Sequence, residues 1–100
     1  MPKKEIEIYQ TENGREPLND WLDAIKDTKT RARIISRLDR IEQGNYGDFK
    51  TVGEGVLELR LFFGSGYRVY FAEIDNTVVL LLCGGDKGSQ RRDIKTAQNY

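Results

Sequence analysis

Lys3 to Gln10 alternates polar and apolar residues as Glu5, Ile6, Glu7 and Ile8, with Tyr9 following, which predicts a short strand with one charged side. Asn13-Gly14 marks a turn, and Pro17 suits the first turn of a helix, where its missing N–H leaves no bond unmade. Leu18, Trp21, Leu22 and Ile25 then recur at i, i+3, i+4 and i+7, one apolar stripe on a helix. A second helix is predicted from about Thr28 to Gln43, with Ile34, Ile35, Leu38 and Ile41 as its stripe and Gly44-Asn45 as its stop. The short break at Asp27-Thr28 makes the two a helical hairpin. Arg33, Arg37 and Arg40 fall on a neighbouring face of the second helix, and Gly44 to Gly55 reads as a glycine-rich connection.

The period changes to two from Val56 onward. Leu57, Leu59, Leu61 and Phe63 point one way, and Val56, Glu58, Arg60 and Phe62 the other. Gly64-Ser65-Gly66 allows a tight reversal, and Tyr67 to Ile74 returns with Val69 and Phe71 facing opposite to Arg68 and Tyr70. After the Asp75-Asn76 turn, Thr77 to Cys83 is apolar on both faces, which belongs inside a sheet covered on both sides. Gly84 to Gly88 ends that strand, and Ser89 is placed to cap a last helix carrying Ile94 and Ala97. The order β-α-α-β-β-β-α gives an α+β fold. The helical hairpin covers one face of a small, mostly antiparallel sheet, and the last helix part of the other.

One hundred residues, 38% of them hydrophobic, make a single domain over 1–100 with a modest core. Sixteen basic and sixteen acidic residues sum to zero, which excludes a strongly basic nucleic-acid module or an acidic tail as a description of the whole chain. The single cysteine, Cys83, excludes a disulfide framework and a thiolate zinc site, points to a reducing compartment, and reads as a small buried hydrophobe. The absence of histidine removes serine–histidine triads, histidine metal sites and histidine acid–base pairs. Asp86 with Asp93 or Glu58 lacks a metal-binding spacing, and Gly84 to Gly88 lacks that of a phosphate-binding P-loop, so no metal or cofactor is expected. The charged stretch Met1 to Glu7 is no signal peptide, and the longest apolar run, Val78 to Cys83, is too short to span a membrane. A cytoplasmic protein without a membrane partner is expected.

The runs Gly55-Val56-Leu57-Glu58-Leu59-Arg60, Gly64-Ser65-Gly66-Tyr67-Arg68-Val69-Tyr70-Phe71 and Leu80-Leu81-Leu82-Cys83-Gly84-Gly85-Asp86-Lys87 resemble the phage-derived addiction-module killer proteins of the RelE/ParE superfamily, close to HigB-type toxins. Trp21-Leu22, Arg31-Ala32-Arg33-Ile34, Gly44-Asn45-Tyr46-Gly47-Asp48, Gln90, Asp93-Ile94 and Ala97 fit the same pattern, so the resemblance runs from Ile6 to Ala97. It implies the toxin of a type II toxin–antitoxin system, a RelE-like ribosome-dependent mRNA endonuclease that inhibits translation. Its implied partners are the ribosome, messenger RNA and a cognate antitoxin, usually a helix-turn-helix protein. Two other readings stay open: a ParE-like toxin acting on DNA gyrase, and a non-catalytic domain that only binds its antitoxin.

Metal-free RNA cleavage uses attack of a ribose 2′-hydroxyl on the adjacent phosphate, and positioned cations stabilise the charge that gathers on its oxygens. Arg60 and Arg68, on one face of adjacent strands, suit this task, since guanidinium binds phosphate in bidentate fashion and stays charged. The plainer alternative is a pair of cross-strand charges with Glu58 as partner. The resemblance implies that Arg68 matches a catalytic arginine of RelE toxins and that Lys87 stands where they place a second cation. Arginine is too basic to accept the proton, which leaves Glu58, a lysine, Tyr70 or Asp93. Where RelE carries a tyrosine on its final helix region, this chain offers Asp93, and no base is assigned. Candidate RNA-binding residues are Lys50, Tyr67, Tyr70, Arg91 and Arg92, the tyrosines for stacking along with Phe62, the arginines with Lys95 for phosphate. Core packing and a solvated helix face are the corresponding plain readings. Arg33, Arg37 and Arg40 are read as a solvated stripe rather than a contact for ribosomal RNA.

Overall fold

Asp27 opens the longer helix by accepting from the Lys29 amide at 3.1 Å and the Thr30 hydroxyl at 2.9 Å, which satisfies donors that the first turn leaves free. In the computed structural model, which describes residues 3–100, the elements are β1 (Glu5–Ile8), α1 (Pro17–Ala24), α2 (Thr28–Glu42), β2 (Phe49–Gly53), β3 (Val56–Arg60), β4 (Arg68–Ile74), β5 (Val78–Gly85), a 3-10 turn (Lys87–Ser89) and α3 (Gln90–Asn99). The strands form one sheet in the order β1-β5-β4-β3-β2, with β1 parallel to β5 and every other pair antiparallel. The fold is α+β, and the doubly apolar strand is interior, between β1 and β4, as its sequence requires.

The sheet has one strand more than the sequence pattern predicts. Phe49–Gly53 lies within the stretch read as a connection, yet pairs with β3 from Phe49↔Leu59 to Gly53↔Val56. Four of its five residues are exposed, so no alternation of apolar residues marks it. It is held by its backbone ladder and by a turn in which Gly53, Glu54 and Gly55 all take positive φ. The reversal at Gly64-Ser65-Gly66 is also looser than expected. β3 ends at Arg60 and β4 begins at Arg68, and the loop between them is closed by Leu61 N donating to Tyr67 O at 3.0 Å.

Helices cover both faces of the sheet. Leu18 and Leu22 of α1 and Ile34, Leu38 and Ile41 of α2 pack on one face against Leu57, Leu59, Val69, Phe71 and Leu81. On the other, Ala97 of α3 packs with Val56, Tyr70, Leu82 and Cys83. A bulge in β5 redistributes its side chains: Tyr70 pairs with Cys83 and Phe71 with Leu81, leaving Leu82 as the extra residue. Leu82 and Cys83 therefore both belong to the α3 side. Beyond the bulge, Gly84 meets Trp21 of α1, and Gly85 meets Ser89 and Asp93 at the start of α3. Among the described residues, no helix is long and apolar enough to cross a membrane.

The buried Cys83 carries a pH signature. Burial pushes its thiol from 9.0 up to about 12, with the nearby Asp93 charge adding to the rise. The folded chain thus keeps a proton that the unfolded chain releases above pH 9. The stability this contributes is complete below pH 9 and is lost as pH rises through 12. Urea unfolding followed from pH 8 to 12 should show a shallower decline for Cys83→Ala than for the wild type. Equal slopes would mean that the thiol is not held protonated.

Candidate functional site

Two adjacent rows of side chains cross the α3 face of the sheet. The first is Lys50, Glu58 and Tyr70, partners across β2, β3 and β4. The second sets Arg60, the last residue of β3, opposite Arg68, the first of β4. Strict alternation in β3 puts Glu58 and Arg60 on this side and leaves Leu57 and Leu59 in the hairpin core, as the period of two predicts.

Glu58 is the centre of the first row and is 0% exposed. Its Oε2 accepts from the Tyr70 hydroxyl at 3.0 Å and from Gln90 Nε2, at the start of α3, at 2.9 Å. Arg68 Nε stands 3.8 Å from the same oxygen, and Lys50 Nζ 4.0 Å from Oε1. A buried carboxylate is tolerable only when paired and hydrogen-bonded in this way. Burial, then the charge and hydrogen bond of Glu58, then the charge of Asp93 raise Tyr70 well above the ordinary tyrosine pKa, against a small opposing effect of Arg68. The Tyr70 hydroxyl is therefore a donor locked onto Glu58, and its ring is covered on all sides. Four polar atoms of these two rows and their partners are buried without a hydrogen bond of good geometry: Glu58 Oε1, Arg68 Nε, Arg60 Nε and Asp48 Oδ2. Such groups concentrate at functional sites.

Arg68 is held by its surroundings on a second side. Its Nη1 donates to the carbonyl of Gly66, whose φ is +77°. A Cβ on Gly66 would stand 3.1 Å from Arg68 Nη1 and 3.3 Å from Lys87 Cβ, so the bare backbone leaves room for both the arginine and the lysine beside it. Lys87 N donates to Ser65 O at 3.3 Å, tying the 61–67 loop to the turn after β5. That turn is built by Asp86, whose carboxylate accepts from Gly88 N and Ser89 N while Ser89 Oγ accepts from Asp86 N. Ser89 is thus a member of this capping box and supplies no side-chain cap to α3.

Arg60 is ion-paired with Asp48: Nη2 donates to Oδ1 at 3.1 Å, and Nε lies 3.1 Å from Oδ2 without the alignment of a hydrogen bond. Both side chains are about one-third exposed. The cross-strand pair therefore has two separate acidic partners, Glu58 for Arg68 and Asp48 for Arg60. The sequence pattern does not mark Asp48, Gln90 or Gly66 for this role. Asp48 sits at the foot of the unmarked strand β2, and only the ladder brings it to Arg60.

The remaining candidates are distributed around this centre. Tyr67 packs edge-on against Trp21 and Phe63 in the hairpin core, with ring centroids at 6.0 and 5.8 Å. It lies on the opposite side from Arg68. Arg91 and Arg92 are exposed on the first turn of α3, and Asp93 accepts a hydrogen bond from Ser89 Oγ. Among the described residues, no three His, Cys, Asp or Glu side chains gather closely enough to hold a metal ion.

A protein of Haemophilus influenzae, described as uncharacterized, is 45% identical over 80 residues, which cover 80% of this chain and 81% of that one. The shared pattern extends to a family model, Phage derived protein Gp49-like (DUF891), which matches residues 20–99 and so takes in both arginines, Glu58, Lys87 and all of α3. By that match the chain belongs to the family of phage-derived Gp49-like proteins.

Proposed function

We propose that this chain is the toxin of a type II toxin–antitoxin pair, an endoribonuclease that cuts messenger RNA in the ribosome by metal-free 2′-hydroxyl attack. Arg68 and Lys87 bind the scissile phosphate and stabilise the charge that develops on its oxygens. Arg60, fixed by Asp48, supplies a second guanidinium from the opposite strand. Lys50, Arg91 and Arg92 extend the positive surface along the flanking phosphates. Tyr70 acts from beneath, through Glu58, and Tyr67 as packing under the loop that carries Gly66. A helix-turn-helix antitoxin would neutralise the protein by covering this face.

The observation that carries the reading is the state of Arg68. Its side chain is 14% exposed, braced by Glu58 and by the Gly66 carbonyl, and it lies beside the exposed Lys87 at Gly66. A firmly held guanidinium with an exposed ammonium beside it suits an incoming phosphate. The Gp49-like family is associated with addiction-module proteins, which supports a toxin in the broad sense.

The test is primer-extension mapping of transcript ends after brief induction in a bacterial host. Wild type should produce new ends inside translated frames that vanish when translation is blocked. Lys87→Ala, at an exposed turn, should leave the fold intact and reduce cutting by about tenfold or more, and Arg68→Ala by roughly 10²–10³-fold. Growth arrest without new ends would shift the target to gyrase. Neither arrest nor cuts would leave a domain that only binds its antitoxin.

A further inference from the structure

A second cationic surface lies beside this site, and the proposed chemistry does not use it. Arg33, Ser36, Arg37 and Arg40 of α2 line a cleft of about 350 Å³ whose other wall is Phe62 and Phe63 of the 61–67 loop. Phe62 is 78% exposed, far more than any other large apolar residue among those described. The Arg33 guanidinium lies 3.9 Å from the centroid of the Phe63 ring, and that of Arg60 lies 6.0 Å from Phe62. None of the three α2 arginines forms an ion pair with a described carboxylate. Arg37 has a structural task, donating to Tyr46 O at 3.0 Å and to Arg60 O at 3.4 Å. Arg33 and Arg40 are exposed and have none of that kind.

The plain reading of a solvated arginine stripe leaves Phe62 unexplained. A largely exposed phenyl ring in a cleft with the unpaired guanidinium groups of Arg33 and Arg40 is unfavourable toward water and suited to an occupant that offers a flat ring and a negative charge together. Every nucleotide of a single strand does so. An acidic peptide repeats the charge but not the ring. The cleft is also continuous with the site already described, because Phe62 is next to Arg60 on one side and to the α2 arginines on the other.

We infer that the cleft between α2 and the 61–67 loop is a binding site for single-stranded RNA, in which Phe62 stacks a base and Arg33 and Arg40 hold phosphates. This rests on RNA as the ligand of the neighbouring Arg60/Arg68 centre and extends that centre into a track. The strand that leaves the scissile phosphate runs over Arg60 and Phe62 onto α2. Arg37 shapes the floor by joining α2 to the loop before β2 and to the end of β3.

The test uses the purified full chain and a fluorescein-labelled decamer of 2′-O-methyl-uridine, which 2′-hydroxyl attack cannot cut. Anisotropy titrations at several salt concentrations should show Phe62→Ala binding about tenfold more weakly, the loss of one stacked base. Arg33→Gln with Arg40→Gln should lower the slope of log affinity against log salt by about 0.7 per phosphate contact removed, with the thermal midpoint unchanged. The same losses should appear in an Arg68→Ala background. Dependence of decamer binding on Phe62, Arg33 and Arg40 in a chain that cuts no transcripts would uphold the cleft and remove the cleavage reading. Wild-type affinity and salt slope in all cleft variants would overturn the cleft while leaving cleavage untouched. No binding of the decamer, with polyglutamate bound and lost in the same variants, would overturn it in favour of an acidic protein partner.

Discussion

Glu58→Ala is expected to cost about 3–5 kcal/mol of folding free energy, which for a domain of this size is a large part of the total. The substitution removes the acceptor of Tyr70 and Gln90 and the counter-charge of Arg68 together. Arg68, whose side chain is 14% exposed, is then left as a cation in a poorly solvated place with only the Gly66 carbonyl as acceptor. Breaking a buried pair from one side is costly because the surviving charge has lost its partner and cannot regain its water. Equilibrium urea unfolding measures the effect through the shift in midpoint at constant slope.

Two companion variants separate charge from hydrogen bonding. Glu58→Gln keeps an acceptor for Tyr70 and loses only the charge, so it should fall between wild type and Glu58→Ala. Glu58→Leu with Arg68→Met removes both charges and fills the space, and should be more stable than Glu58→Ala alone despite the additional change. A loss below about 1 kcal/mol for Glu58→Ala would mean that the carboxylate does not organise the centre. The catalytic argument for Arg68 would then lose its brace.

How far the sequence reveals such a centre depends on whether a residue's role follows from alternation. Val56 to Phe63 alternates cleanly, so the opposed facing of Glu58 and Arg60 against Leu57 and Leu59 was legible, and with it the pairing of Arg60 with Arg68. Tyr67 shares the parity of Val69 and Phe71, and the structure keeps it on their side, in the hairpin core. β2 was not legible because an exposed edge strand needs no apolar pattern, and Asp48, the partner of Arg60, was lost with it. The bulge at Leu82 was hidden for the opposite reason. A strand apolar on both faces has no period of two to interrupt, so an extra residue leaves no trace in the pattern. The capping role of Asp86 was obscured by Ser89, an equally good cap by type that is used as the reciprocal partner.

That bulge sets up the other large effect. Gly84 and Gly85 read from sequence as the end of a strand, but the shift at Leu82 turns Gly84 toward α1, directly under the indole of Trp21. A Cβ on Gly84 would lie 2.2 Å from Trp21 Cε3 and 2.5 Å from Cδ2 and Cζ3, far inside the roughly 3.5–4.0 Å of ordinary carbon contact. The ring cannot slide aside freely, because it also packs edge-on against Tyr67. Gly84→Ala should therefore lift Trp21 out of its seat and cost about 3 kcal/mol, between overpacking and loss of a buried aromatic. For a 100-residue domain that lowers the thermal midpoint by roughly 12–24 °C. Trp21 is the sole tryptophan, so its emission reports the displacement directly and should move to the red in the folded variant. Trp21→Leu in the Gly84→Ala background should recover part of the loss, since contacting residues couple. Unchanged emission and midpoint in Gly84→Ala would mean that Gly84 does not face α1, and that β5 reaches the Lys87 turn without the bulge that aligns it with Arg68.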